Sequence, residues 1–127
     1  MITPRHLVDS SGWIEYFTAG ANADFFAPAI EDPDHLLVAS ISMLEVFKWI
    51  FRVKGENAAL QASALMQQGE IIDLDSALAI RAAKLGAERR LPLADSIMYA
   101  TAQAYGATLW TQDADFEGLP GVRYVPK

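Results

Sequence analysis

Four carboxylates stand where they could share one task. Asp9 follows the apolar run His6-Leu7-Val8. Glu45 lies in a helical stretch entered through Ser40-Ile41-Ser42. Asp95 falls in the first turn of a helix opened by Leu93-Ala94, and Asp113 follows Thr108-Leu109-Trp110. Each has an ordinary explanation. Asp9 and Asp113 suit turns or caps. Glu45 completes the capping-box pattern Ser42-Met43-Leu44-Glu45, and Asp95 complements a helix dipole. None of these explains why all four reach one rim of the predicted fold. Clustered carboxylates repel, and without compensation one is driven toward its neutral form. A hard divalent cation removes the conflict. Mg²⁺ and Mn²⁺ take oxygen ligands, often a few carboxylates with water and substrate phosphate. Such a site activates water and stabilises the charge that develops in phosphodiester hydrolysis. Asp115 offers a further oxygen donor, ranked behind Asp113 because it lies farther from the strand end.

The elements that must position these acids can be read in order. Strands are expected at His6–Val8, Leu36–Ala39, Ile71-Ile72 with Leu74, Thr108–Trp110 and, at an edge, Val122–Val125. Leu36–Ala39 is apolar throughout, as a parallel strand covered on both faces would be. Between the strands lie helical patterns. One carries Trp13, Ile14 and Phe17, and a short one carries Phe25, Phe26, Ala29 and Ile30. A third carries Leu44, Val46, Phe47, Ile50 and Phe51. Another runs from Ala58 to Gln68 with Leu60, Ala64 and Leu65 inward. An alanine-rich helix capped by Asp75 runs to about Arg89, and the Asp95 helix ends near Gly106. Alternating strands and helices predict a three-layer α/β/α sandwich with a central, mostly parallel sheet of four to five strands. Ligands of such sheets bind beyond the carboxyl ends of the strands. Asp9, Ser40 and Asp113 each lie just past a predicted strand, hence on one rim.

Composition sets the bounds. The chain has 127 residues, 52% of them hydrophobic and 20% charged, enough for one domain over 1–127 and too little for two. It has no cysteine, which excludes a disulfide framework and a thiolate zinc site. Its two histidines, His6 and His35, are far apart in sequence, so a histidine-rich metal site is not expected. The formal net charge of −6 argues against nonspecific nucleic-acid binding and fits carboxylates that need cations. No apolar run is long enough for a membrane span, and no signal peptide is evident, so a cytoplasmic protein is expected.

The chain resembles the PIN-domain family, most closely its VapC-like toxin ribonucleases. The matching stretches are Leu7-Val8-Asp9-Ser10-Ser11, Ser40–Val46, Leu91–Ala102 and Leu109–Phe116, so the resemblance runs from near residue 5 to the C-terminus. It implies a parallel sheet between helices and a Mg²⁺- or Mn²⁺-dependent endoribonuclease acting on RNA. It also implies a homodimer neutralised by a cognate antitoxin. Asp9, Glu45, Asp95 and Asp113 match the family's acidic positions, and Asp115 matches a less constant acid. Ser10 and Thr111 match polar positions beside the site and would orient the ligands. Two departures stand out: Ser96 where alanine is common, and Trp110 where a smaller aliphatic residue is usual. Hydrolysis of this kind leaves the ribose 2′-hydroxyl unused and predicts 5′-phosphate and 3′-hydroxyl ends.

Lys48 and Arg52 lie three and seven residues after Glu45, on its helical face, where they could meet substrate phosphates. Trp13, Phe17, Trp49 and Phe51 are either core or a face for a partner, such as a second subunit or an antitoxin segment laid in a groove. A housekeeping RNA-processing nuclease and a non-catalytic module of the same fold are the alternatives. Receiver-like and haloacid-dehalogenase-like domains are disfavoured, because Asp9 is followed by Ser10-Ser11 where they need a second acid.

Overall fold

A computed structural model describes residues 4–127; the first three positions of the domain assigned to 1–127 lie outside the described residues. Five strands, β1 (Arg5–Val8), β2 (Leu36–Ala39), β3 (Glu70–Ile72), β4 (Ala107–Thr111) and β5 (Val122–Tyr124), form one sheet in the order β3-β2-β1-β4-β5. Every neighbouring pair is parallel. All carboxyl ends therefore lie along one edge. The chain first builds outward from β1 through β2 to β3, then returns to place β4 on the other side of β1. The crevice between the ends of β1 and β4 is thus the switch point at which such sheets bind ligands.

Six helices cover the sheet: α1 (Ser10–Phe17), α2 (Ala23–Ile30), α3 (Ser40–Lys54), α4 (Glu56–Met66), α5 (Ser76–Arg89) and α6 (Leu93–Ala104). The strands divide their side chains between two cores by simple alternation. Leu7, Leu37, Ala39 and Leu109 pack against α5 and α6 through Leu78, Ala82, Ile97, Met98 and Tyr99. Val8, Leu36, Val38 and Trp110 pack on the opposite face against α1 to α4 through Trp13, Phe26, Val46, Ile50, Ala59 and Met66. Three layers result, with an apolar core on each side of the sheet.

Local chemistry sets where the helices begin. Asp9 leaves β1 in extended conformation and caps α1, its carboxylate accepting the Gly12 N–H at 2.8 Å. Gly12 is required by packing, since a Cβ there would lie 2.6 Å from the Phe26 ring and 2.8 Å from Val8. Asp75 caps α5 by accepting the Leu78 N–H at 2.8 Å. Pro92 stands at the N-cap of α6, where a missing N–H costs nothing.

Several expectations are corrected. α4 starts at Glu56, and its buried face is Ala59, Ala62 and Met66; Leu60 and Ala64 point to solvent. The small residues face inward because α4 lies close against α3. Leu74 lies beyond β3 and is exposed. Trp13 belongs wholly to the core, Phe17 and Trp49 are half-buried, and Phe51 is exposed. His6 and His35 are neighbours after all. Both reach the Asp32 carboxylate, at 3.3 and 3.0 Å, at the amino-end edge of the sheet away from the acids.

Candidate active site

The carboxyl edge of the sheet carries a cleft of about 160 Å³ lined by Asp9, Ser10, Ser11, Glu45, Ala94, Asp95, Met98 and Asp113. Its walls come from the ends of β1 and β4 and the opening turns of α1, α3 and α6. The four acids singled out in the sequence all line it. The tightest convergence involves three of the acids named above: Asp95, Asp113 and Asp115 each bring a carboxylate oxygen within 4.8 Å of the other two. Asp9 and Glu45 are placed at the cleft by different means.

Asp9 is held most firmly. Its two oxygens accept hydrogen bonds from the Ser11 hydroxyl (3.1 Å), the Gly12 N–H (2.8 Å) and the Thr111 hydroxyl (2.6 Å). Burial nevertheless pushes its carboxyl above the usual range. The three hydrogen bonds oppose that shift, and the nearby charge of Asp113 adds to it. Thr111 ties two acids together: the oxygen that donates to Asp9 accepts the Asp113 N–H at 2.9 Å. Asp113 in turn accepts the Asp115 N–H at 2.9 Å, the Asx turn its sequence suggests, and this opens a short 3₁₀ turn over Ala114–Phe116.

Glu45 is reached by one donor, the Ser10 hydroxyl, at 2.6 Å. The capping-box account of this residue fails. α3 begins at Ser40 with Ala39 as its N-cap, no side chain caps it, and Glu45 lies beyond the first turn. Its side chain is thus free to reach across to α1. Asp95 sits half-buried in the first turn of α6, and its carboxyl is pushed up to about 7. Burial is the largest cause, followed by the charge of Asp113 and by hydrogen bonding with Asp113 and Asp115, which favours the protonated form.

The charged donors of this cleft are all carboxylate oxygens, with no histidine or cysteine among its lining residues. It suits a hard divalent cation such as Mg²⁺ or Mn²⁺. Burial and the Asp113 charge both disfavour the ionised form of Asp95, and a bound cation would offset both.

Lys48 and Arg52 are exposed on α3. Lys48 borders a shallow apolar shelf with Met43, Leu44, Phe47 and Phe51. Two further side chains at the site went unmarked in the sequence. Gln112, buried between Thr111 and Asp113, accepts the Asn22 amide N–H at 2.9 Å and faces the Ser11 carbonyl at 3.4 Å. Asn22 also reaches the Pro126 carbonyl at 3.1 Å, so the turn after α1 holds both the acidic loop and the C-terminal tail. A polar side chain following an apolar strand was the available signal for Gln112; nothing local marks Asn22. The two departures noted above have structural accounts. Ser96 returns its hydroxyl to the Pro92 carbonyl at 2.9 Å. Trp110 packs beside Phe25 and His6, with the Arg123 guanidinium 4.2 Å over its ring.

The comparisons with known proteins agree with this architecture. The family model for the PIN domain matches residues 6–122. Ribonuclease VapC4 of Mycobacterium tuberculosis is 31% identical over an alignment of 111 positions that covers 74% of this chain and 82% of the relative. Among solved structures, a toxin–antitoxin complex from Klebsiella pneumoniae superposes with a TM-score of 0.79 at 28% identity, covering 93% of this chain and 95% of that one. The toxin VapC20 of Mycobacterium tuberculosis, which cleaves the sarcin–ricin loop, shares the fold with a TM-score of 0.75 at 21% identity, covering 91% and 95%.

Proposed function

Since the chain belongs to the PIN-domain family, and within it to the VapC-like ribonucleases, we propose that it is a metal-dependent endoribonuclease that hydrolyses RNA phosphodiester bonds as the toxin of a toxin–antitoxin pair. The observation that carries this reading is the convergence of Asp95, Asp113 and Asp115 in a cleft that Asp9 and Glu45 also reach.

Asp9, Glu45, Asp95 and Asp113, with Asp115 beside them, are the groups that would hold Mg²⁺ or Mn²⁺. When bound, the cation supplies Lewis acidity and positive charge for attack of water on the phosphodiester. The rest falls to the chain. Thr111 fixes Asp9 and the backbone of Asp113, and Ser10 orients Glu45. Ala94 and Met98 give the cleft its apolar wall. Lys48 and Arg52 on α3 are the candidates for holding flanking phosphates. Water as nucleophile leaves 5′-phosphate and 3′-hydroxyl ends; a 2′,3′-cyclic phosphate product would exclude the mechanism.

An apolar cleft of about 330 Å³ between α1, α3 and α4, walled by Phe17, Trp49, Ile50, Ala58 and Leu65, is the face we propose for an antitoxin segment. A second copy of the chain would cover the separate apolar surface of Leu74, Leu91 and Leu93 beside α5 and α6. No helix among the described residues is long and apolar enough to cross a membrane. An RNA substrate and an antitoxin partner both fit a cytoplasmic site of action.

The test is cleavage of a mixed RNA pool with Mg²⁺ or Mn²⁺, with chelator, and with an Asp95→Asn variant. Cleavage that needs the metal and disappears in the variant supports the reading. Cleavage that persists in chelator refutes it, and so does a protein that binds no Mn²⁺ in calorimetry, which would be a non-catalytic module of the same fold.

A further inference from the structure

Ser42 is completely buried, so its hydroxyl needs an internal partner. Other buried hydroxyls on helices satisfy themselves on the preceding turn: Thr101 donates to the Ile97 carbonyl at 2.7 Å, and Ser96 to the Pro92 carbonyl at 2.9 Å. Ser42 does not. Its oxygen lies 3.2 Å from the Ser10 hydroxyl and 3.7 Å from the Met98 sulfur, a weak acceptor. Ser42 is also not occupied as a cap, because α3 begins two residues earlier, at Ser40, with Ala39 as its N-cap.

The direction of the contact follows from proton counting. Ser10 has one hydroxyl proton, and the Glu45 carboxylate at 2.6 Å takes it in the shorter, charge-assisted bond. The Ser10 oxygen is then the acceptor toward Ser42. The chain of hydroxyls runs from the interior outward: Ser42 to Ser10 to Glu45. Asp9 has three donors of its own, whereas Glu45 depends on Ser10 and has three rotatable bonds to fix.

We propose that Ser42 is a positioning residue, whose hydroxyl locks Ser10 in the orientation that holds Glu45 at the cleft. The proposal rests on the reading of Glu45 as a metal-holding group.

The test measures Mn²⁺ affinity by calorimetry, with melting temperature alongside, in the wild type, Ser42→Ala, Ser42→Cys, Ser10→Ala, the Ser10→Ala/Ser42→Ala double variant and Glu45→Gln. Loss of an outer hydrogen-bond partner of a metal ligand weakens binding by roughly tenfold or more. Ser42→Ala should approach that loss with little change in melting temperature. Ser42→Cys keeps the volume but donates weakly, and should resemble Ser42→Ala. The double variant should bind no more weakly than Ser10→Ala, because Ser42 acts only through Ser10. Wild-type affinity in Ser42→Ala, full rescue by Ser42→Cys, or additive losses in the double variant would each overturn the proposal, provided Glu45→Gln binds weakly. Wild-type affinity in Glu45→Gln would instead overturn the assignment of Glu45 on which it rests.

Discussion

The hydroxyl oxygen of Thr111 sits between two acids, donating to the Asp9 carboxylate at 2.6 Å and accepting the Asp113 N–H at 2.9 Å. The chain separates Thr111 from Asp9 by 102 positions. One buried atom thus sets the spacing between the residues that end β1 and follow β4.

Thr111→Val keeps the shape and removes the oxygen. Asp9 then loses its shortest hydrogen bond inside a buried site, and the Asp113 N–H loses its acceptor. We expect a loss of about 1–3 kcal/mol in urea unfolding and weaker Mn²⁺ binding. Thr111→Ser should restore most of both.

The raised Asp95 carboxyl makes the metal-free protein pH-sensitive. Folding lifts it from the ordinary carboxylate value of 3.8 to about 7, so the unfolded chain gives up its proton first. The stability this group contributes is complete below about pH 4 and is lost as pH rises toward and through 7. Melting curves of the metal-free protein should therefore show a decline over that window that Asp95→Asn reduces, with the raised Asp9 carboxyl adding a dependence of the same sign. Mn²⁺ should raise the melting temperature more at pH 8 than at pH 5, and Asp95→Asn should narrow this difference.

Gly86 tests the seam between α5 and α6. A Cβ at this position would press on the Ser96 hydroxyl and lie 2.9 Å from the Ser96 Cβ. Alanine would gain about 1 kcal/mol in helix propensity, but overpacking costs about 1–3 kcal/mol. Because Ser96 adjoins Asp95, the displacement reaches the site. Gly86→Ala should lower thermal stability and Mn²⁺ affinity together. Ser96→Ala should rescue it only in part, since the clash with the Ser96 Cβ remains.

Lys48 and Arg52 are expected to act on RNA binding and not on chemistry. Replacing either with Gln should raise KM and leave kcat nearly unchanged. The slope of log affinity against log salt should become shallower by about 0.7 for each single-strand phosphate that the variant no longer neutralises. Unchanged salt dependence would mean that these cations are ordinary solvated charges.

Much of the architecture could be read from local pattern. Leu36–Ala39 is apolar at every position because both faces of β2 are covered, and Asp75 stands directly before a helical repeat, where a cap belongs. The ends of β1 and β4 were equally plain, and with them the positions of Asp9 and Asp113. Features that depend on distant neighbours were not legible. Leu60 looks like a core residue by type, but the close approach of α4 to α3 selects Ala59 and Ala62 instead. Ser42 and Glu45 have the spacing of a capping box, yet the helix starts early enough at Ser40 to release both for other partners. Asn22 gained its role from a residue 90 positions away. His6 and His35 share the Asp32 carboxylate because β1 pairs with β2 in a register that sets His6 opposite Leu36.

The place of β4 in the sheet bears on how such an enzyme is made. β1 emerges from the ribosome first, with Asp9 at its end, and Glu45 follows soon after. Their partner strand arrives only with residues 107–111, after α1 to α6 have been synthesised. A nascent chain halted before β4 has neither Thr111 to seat Asp9 nor Asp113 and Asp115 to close the acidic cluster. The acidic set is therefore incomplete until β4 and the turn after it have been made, and a chain cut before residue 107 lacks both Asp113 and Asp115. The strand order thus ties completion of the acidic cluster to the docking of β4 beside β1.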